Sequence, residues 1–231
     1  MVRRHSVRTT VLGAVAAVLA GSLLSPSAAE AQRQREGRWQ FSIPLNFVSG
    51  TEIKGQGESF LRMNDDLGWG FSFGYHINNR FMVGGEMTWM RANYDAQVEV
   101  DEDGDEDSDG LVTIGGTLDA STFGAFGQFN ILEGPITPFV QGKLGTTYSD
   151  SNIPSGPTQG VCWWDPWWGY ICDAWRPTYS TWSFSYGGAV GLRAELGRTF
   201  FLEGAYSAGW IDFDVETPRL DGFRLNVGWI L

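Results

Sequence analysis

The sequence predicts an all-β chain that closes into an eight-stranded antiparallel up-and-down transmembrane β-barrel. Three observations carry this reading. Eight segments alternate apolar with small or polar side chains, the connections between them alternate short and long, and the apolar face of every segment lacks Asp, Glu, Lys and Arg. A period of two, broken by turn residues, is how barrel strands read in sequence.

The first segment presents Trp39, Phe41, Ile43, Leu45 and Phe47. The second runs from Leu67 through Trp69, Phe71, Phe73 and Tyr75 to Ile77, and the third from Phe81 through Val83 and Met87 to Trp89. The fourth spans Phe123 to Ile131, and the fifth Val140 to Tyr148. The sixth is Trp182 to Leu196, the seventh Phe200 to Trp210, and the eighth Phe223 to Leu231. An even count lets an antiparallel barrel close with both chain ends on one side.

The connections Asn78-Asn79-Arg80, 133–137 and 197–199 are short, whereas 49–66, 95–120, 149–181 and 211–221 are long. This asymmetry predicts short turns facing the periplasm and long loops facing outside.

The second face decides between a membrane barrel and a soluble one. It carries only Glu86, Lys143, Arg193, Glu195, Glu203 and Arg224, amid Gly, Ser, Thr, Ala, Gln, Asn and an occasional larger residue. A water-facing surface is normally about 25–35% charged. Small residues with few charges suit a narrow, filled lumen, which turns the apolar face toward lipid. Trp39, Trp69, Trp89, Trp182, Trp210 and Trp229 stand near strand ends, where interfacial aromatic girdles belong.

Residues 1–31 read as a secretory signal peptide: Arg3, Arg4 and Arg8 precede the apolar stretch Val11 to Leu24, and Ala29 and Ala31 suit cleavage. A single barrel domain then occupies 32–231. Nothing downstream offers the run of about 18 apolar residues that a membrane helix needs. Without the leader, which holds three Arg and one Glu, the 16 basic and 27 acidic residues fall to 13 and 26, a formal charge of −13. Such a chain repels phosphates, so no nucleic-acid partner is expected. Cys162 and Cys172, close together in an exported chain, read as one disulfide.

The leader, the eight segments and the final strand Gly222-Phe223-Arg224-Leu225-Asn226-Val227-Gly228-Trp229-Ile230-Leu231 together resemble the small outer-membrane β-barrel proteins. These comprise the OmpA-type barrel and the opacity-protein-like surface antigens, and the likeness runs from Trp39 to Leu231. It implies an integral place in a bacterial outer membrane, with both termini in the periplasm. The implied partners are outer-membrane lipid and lipopolysaccharide, and the insertion machinery that recognises a final strand of this kind.

Three constellations could carry chemistry. The six lumen charges, Glu86, Lys143, Arg193, Glu195, Glu203 and Arg224, should pair, because unpaired buried charge is costly. They read as a structural plug, with a narrow gated ion path as the alternative. Across the last short turn, Leu196 facing Phe200 sets Arg193 opposite Glu203.

The segment Asp101 to Gly110 holds seven carboxylates, and Asp105-x-Asp107-x-Asp109-Gly110 matches the opening of a calcium-binding EF-hand loop. Position twelve of that loop would be Gly116, not the required Glu. Asp105, Asp107 and Asp109 are therefore candidates for weak divalent-cation binding, against a plainly solvated acidic tip. No other cofactor is expected.

Between Cys162 and Cys172 lie Trp163, Trp164, Trp167, Trp168 and Tyr170, with Trp175 just beyond. Clustered aromatics suit contact with an extracellular glycan or protein; a lid on the barrel rim, or a small self-packed core, is the alternative.

No enzyme is expected, because acyl-transfer sites need a nucleophile, a His and an orienting group together. The one His beyond the leader is His76, beside the turn 78–80 at the opposite end from the long loops. The chain thus reads as a membrane-anchored scaffold for surface interaction, with a narrow conduit for small solutes or hydrophobic compounds as the alternative.

Overall fold

The structure is a computed structural model that describes residues 35–54, 60–100, 110–157, 159–175, 177–213 and 217–231. Twelve strands follow one another: β1 (Trp39–Val48), β2 (Glu52–Lys54), β3 (Phe60–Met63), β4 (Asp66–His76), β5 (Phe81–Val100) and β6 (Gly110–Asn130). Next come β7 (Ile136–Pro154), β8 (Gln159–Asp165), β9 (Gly169–Trp175), β10 (Thr178–Leu196), β11 (Phe200–Asp212) and β12 (Arg219–Ile230). The expected leader, 1–31, lies outside the described residues.

Eight of these strands form the ring β1–β4–β5–β6–β7–β10–β11–β12, every neighbour antiparallel, and β12 pairs back onto β1. Closure leaves no unpaired edge in the ring. Leu231 N donates to Trp39 O at 2.8 Å, so the last residue completes the seam. The short turns are tight for local reasons. Asn78 Oδ1 accepts from the amides of Arg80 and Phe81 at 2.8 Å each, and Gly197 adopts the left-handed φ of +80° that closes 197–199.

The apolar face points outward. Trp69, Phe73, Leu144, Phe184, Val190, Phe223 and their neighbours are exposed, while Ser72, His76, Gln128, Thr147 and Asn226 are buried inside. So large an apolar belt belongs in lipid. Near the short turns, Trp39 packs against Tyr75 and Trp229 edge-on against Phe200; near the long connections, Trp69 meets Trp89, Tyr148 meets Trp182 and Tyr186 meets Trp210. These are the two girdles.

One expectation needs correction. Segments 95–120 and 149–181, anticipated as long loops, are largely strand. β5, β6, β7 and β10 run 20, 21, 19 and 19 residues, about twice the span a tilted strand needs to cross a bilayer. The reason is a reversal of the pattern at the membrane edge. Outward positions of β5 read Met87 and Trp89, then Arg91, Asn93 and Asp95, while inward Ala92, Tyr94 and Ala96 are buried. Water replaces lipid outside the wall, so the period of two persists with its polarity inverted. β2 and β3 extend this wall: Arg62 lies opposite Asp95 and Met63 opposite Tyr94.

Candidate functional site

The barrel interior is filled in layers. Nearest the short turns, Arg193 of β10 and Glu203 of β11 are Cα partners, and Arg193 Nη1 donates to Glu203 Oε1 at 2.7 Å. Arg193 Nε donates to Glu195 Oε1 at 3.0 Å, and the guanidinium lies 4.1 Å from the Phe201 ring centre. Amides complete the shell: Gln128 Nε2 and Asn226 Nδ2 donate to Glu203 at 3.0 and 2.7 Å. Gln40 Oε1 accepts from Arg193 at 2.8 Å and lies 3.1 Å from His76 Nε2. His76 is fully buried here, at the short-turn mouth.

Sequence reasoning missed Arg35, which precedes β1. Its guanidinium enters the same mouth, 2.7 Å from Glu195, and donates to the backbone carbonyls of Asn79 and Gly134 at 3.2 and 2.9 Å. It bridges two short turns and the charge layer. Burial holds its pKa below the ordinary arginine value, with the Glu195 carboxylate acting in opposition. Nothing in the alternation marks it, because it stands before the first alternating position.

The next layer joins Glu86, Lys143 and Arg224. Arg224 grips both Glu86 oxygens, through Nη1 at 3.0 Å to Oε1 and through Nη2 to Oε2, and Lys143 Nζ donates to Oε1 at 3.2 Å. Arg224 Nε donates to Asn226 Oδ1 at 2.8 Å, and Asn226 in turn reaches Glu203, so the two layers form one network. The six expected lumen charges are thus brought together in two clusters. Beyond them, toward the long connections, small residues leave a cavity of about 170 Å³.

Outside the ring, β8 and β9 form a separate hairpin, with Cys162 and Cys172 as cross-strand partners joined by a disulfide. Its turn is written in Asp165-Pro166-Trp167-Trp168-Gly169. Asp165 Oδ1 accepts from the amides of Trp167 and Trp168 at 2.8 and 2.9 Å, Pro166 supplies a preset φ, and Gly169 takes φ +78°. Trp164 and Tyr170 are cross-strand partners on the disulfide face. Trp164, Trp167, Trp168 and Tyr170 are 72%, 84%, 81% and 70% exposed. Trp163 pairs with Ile171 and Trp175 with Gln159 through the backbone.

Asp105, Asp107 and Asp109 lie outside the described residues. Among the described residues, no group of three or more His, Cys, Asp or Glu is arranged to hold a metal ion.

A family model described as the outer membrane protein beta-barrel domain matches residues 14–230. No curated protein matches the chain. Among solved structures it is similar to Ail, the attachment invasion locus protein of Yersinia pestis, in complex with the heparin analogue sucrose octasulfate. That likeness has 16% identity and a TM-score of 0.49, over 85% of this chain and 99% of that one. Neisserial surface protein A is similar at 11% identity and TM-score 0.48, over 85% and 97% of the two chains. OprG from Pseudomonas aeruginosa is similar at 13% identity and TM-score 0.43, over 87% and 98%.

Proposed function

Because the chain belongs to the outer membrane protein beta-barrel domain family, we propose that it is a closed-lumen scaffold whose function lies on the cell surface. It is an integral outer-membrane protein with both termini in the periplasm. The leader 1–31 is removed on export, and the final strand is what the insertion machinery engages. The long ribbons stand among lipopolysaccharide, and the β8–β9 hairpin meets an extracellular glycan or protein.

The hairpin carries this reading. Four aromatic side chains stand exposed on a turn held by a disulfide, Pro166 and the Asp165 carboxylate. Restricting the turn beforehand lowers the ordering cost of binding, and indoles supply large contact area against sugar rings or apolar protein surface. The fully buried charge layer, with Arg193, Arg224, Glu203, His76 and Gln128 withdrawn from solvent, supports an anchor over a conduit, because a conduit needs a continuous wet path.

Replacing Trp164, Trp167, Trp168 and Tyr170 together with Ala tests the reading on whole cells offered glycan arrays and matrix proteins. The expected result is loss of surface binding with an unchanged heat-modifiable folded form on gels. Unchanged binding to every surface that the native protein engages would overturn it.

A further inference from the structure

Among the described residues, the charged layers hold one more cation than anion, and the spare cation faces the cavity. Near the short turns, Arg35 and Arg193 are matched by Glu195 and Glu203. In the next layer Arg224 and Lys143 share the single carboxylate of Glu86. Arg224 is fully buried and takes both Glu86 oxygens. Lys143 keeps only a 3.2 Å contact to an oxygen already engaged, and its side chain is 27% exposed. An ammonium carries three donors, and among the described residues Lys143 uses one. Asp66, at the rim end of β4, accepts the Leu67 amide and is not part of the cavity wall.

The space beside Lys143 has a matching shape. The cavity is about 170 Å³, with Glu86 and Lys143 at one end, Met90 and Leu220 toward the other, and Gly209 leaving open space in its wall. An apolar protein cavity of about 150 Å³ accepts a benzene molecule. We propose that this cavity binds a small organic anion with a compact apolar body, of the size of a single-ring carboxylate, whose carboxylate pairs with Lys143. The bond is charge-assisted and formed inside the narrow lumen, where such a pair counts for more than on an open surface. The ring lies against backbone and small side chains that leave it room. Because the Arg193–Glu203 layer closes the lumen beneath, the site is a dead end that holds its ligand. It is independent of the hairpin and of what the hairpin binds.

The test uses 4-(trifluoromethyl)benzoate as the probe, read by fluorine NMR against the folded protein in zwitterionic phosphatidylcholine nanodiscs, with empty nanodiscs as the baseline. The neutral comparator is 4-(trifluoromethyl)benzyl alcohol. Two variants separate charge from space: Lys143→Met removes the cation, and Gly209→Leu fills the cavity, where an added Cβ would meet nothing nearer than 3.8 Å. Lys143→Gln and Ser207→Leu replace any variant that fails to give the heat-modifiable folded form. The expected result is saturable binding of the benzoate, weakened about tenfold or more by each variant, with the alcohol weaker by a similar factor. Benzoate binding no greater than to empty nanodiscs, binding unchanged by both variants, or equal binding of the alcohol would each overturn the proposal.

Discussion

Arg193 and Glu203 face one another across β10 and β11, joined at 2.7 Å, with both side chains withdrawn from solvent. Removing Glu203 leaves the buried Arg35 and Arg193 to share Glu195, and removing Arg193 leaves Glu203 with amide donors in place of its cation. Glu203→Leu is expected to lower barrel stability by about 3–5 kcal/mol, whereas the double variant Arg193→Met with Glu203→Leu should recover much of that loss. Urea titration of the heat-modifiable gel shift reads both. A double variant as unstable as the sum of the singles would show that the two residues act separately.

Arg35 ties the N-terminal approach to two turns, through the carbonyls of Asn79 and Gly134, and to Glu195. Arg35→Ala is expected to cost about 1–3 kcal/mol. Arg35→Lys should recover only a fraction, because an ammonium cannot span the same fork of acceptors. Matched urea midpoints for the native chain and Arg35→Ala would remove Arg35 from the plug.

The alternation made the ring legible in the sequence, because lipid and lumen impose opposite demands on successive residues of one strand. The register was legible for the same reason: a three-residue turn after Leu196 sets Arg193 opposite Glu203 on β11. The outer halves of β5, β6, β7 and β10 were not legible as strand. Their polarity inverts after Trp89 and before Phe123, so Arg91 to Gln97 has the composition of a solvated loop while keeping strand periodicity. Arg35 was hidden because it lies off the strands. The spare positive charge was hidden with it, since the six charges on the strands balance three against three and only the seventh tips the count.

The polarity inversion sets a testable membrane boundary. Leu144, exposed between the two girdles, faces lipid, and Leu144→Arg is expected to cost about 2 kcal/mol or more. Thr117→Arg, on the outer face of β6 beyond that boundary, should stay within about 0.5 kcal/mol. Refolding into vesicles with urea titration measures both. Equal costs would move the boundary.

Reduction separates the hairpin from the barrel. The Cys162–Cys172 disulfide closes a loop with a sequence separation of 10, and opening it is expected to release about 2–3 kcal/mol of local constraint. The hairpin shares no strand pairing with the ring, so the heat-modifiable form should persist while protease added to intact cells cuts within 149–181 faster than before. Cleavage in the turn 78–80 from outside would instead place the short turns on the wrong side of the membrane.

Planar-bilayer recording of the refolded protein decides whether the lumen is closed. With Arg193, Glu203, Glu195 and Arg35 filling the short-turn mouth, no discrete conductance steps are expected in molar potassium chloride, and replacing Arg193 and Glu203 together with Ala should make them appear. Discrete, reproducible steps from the native chain would contradict a closed lumen.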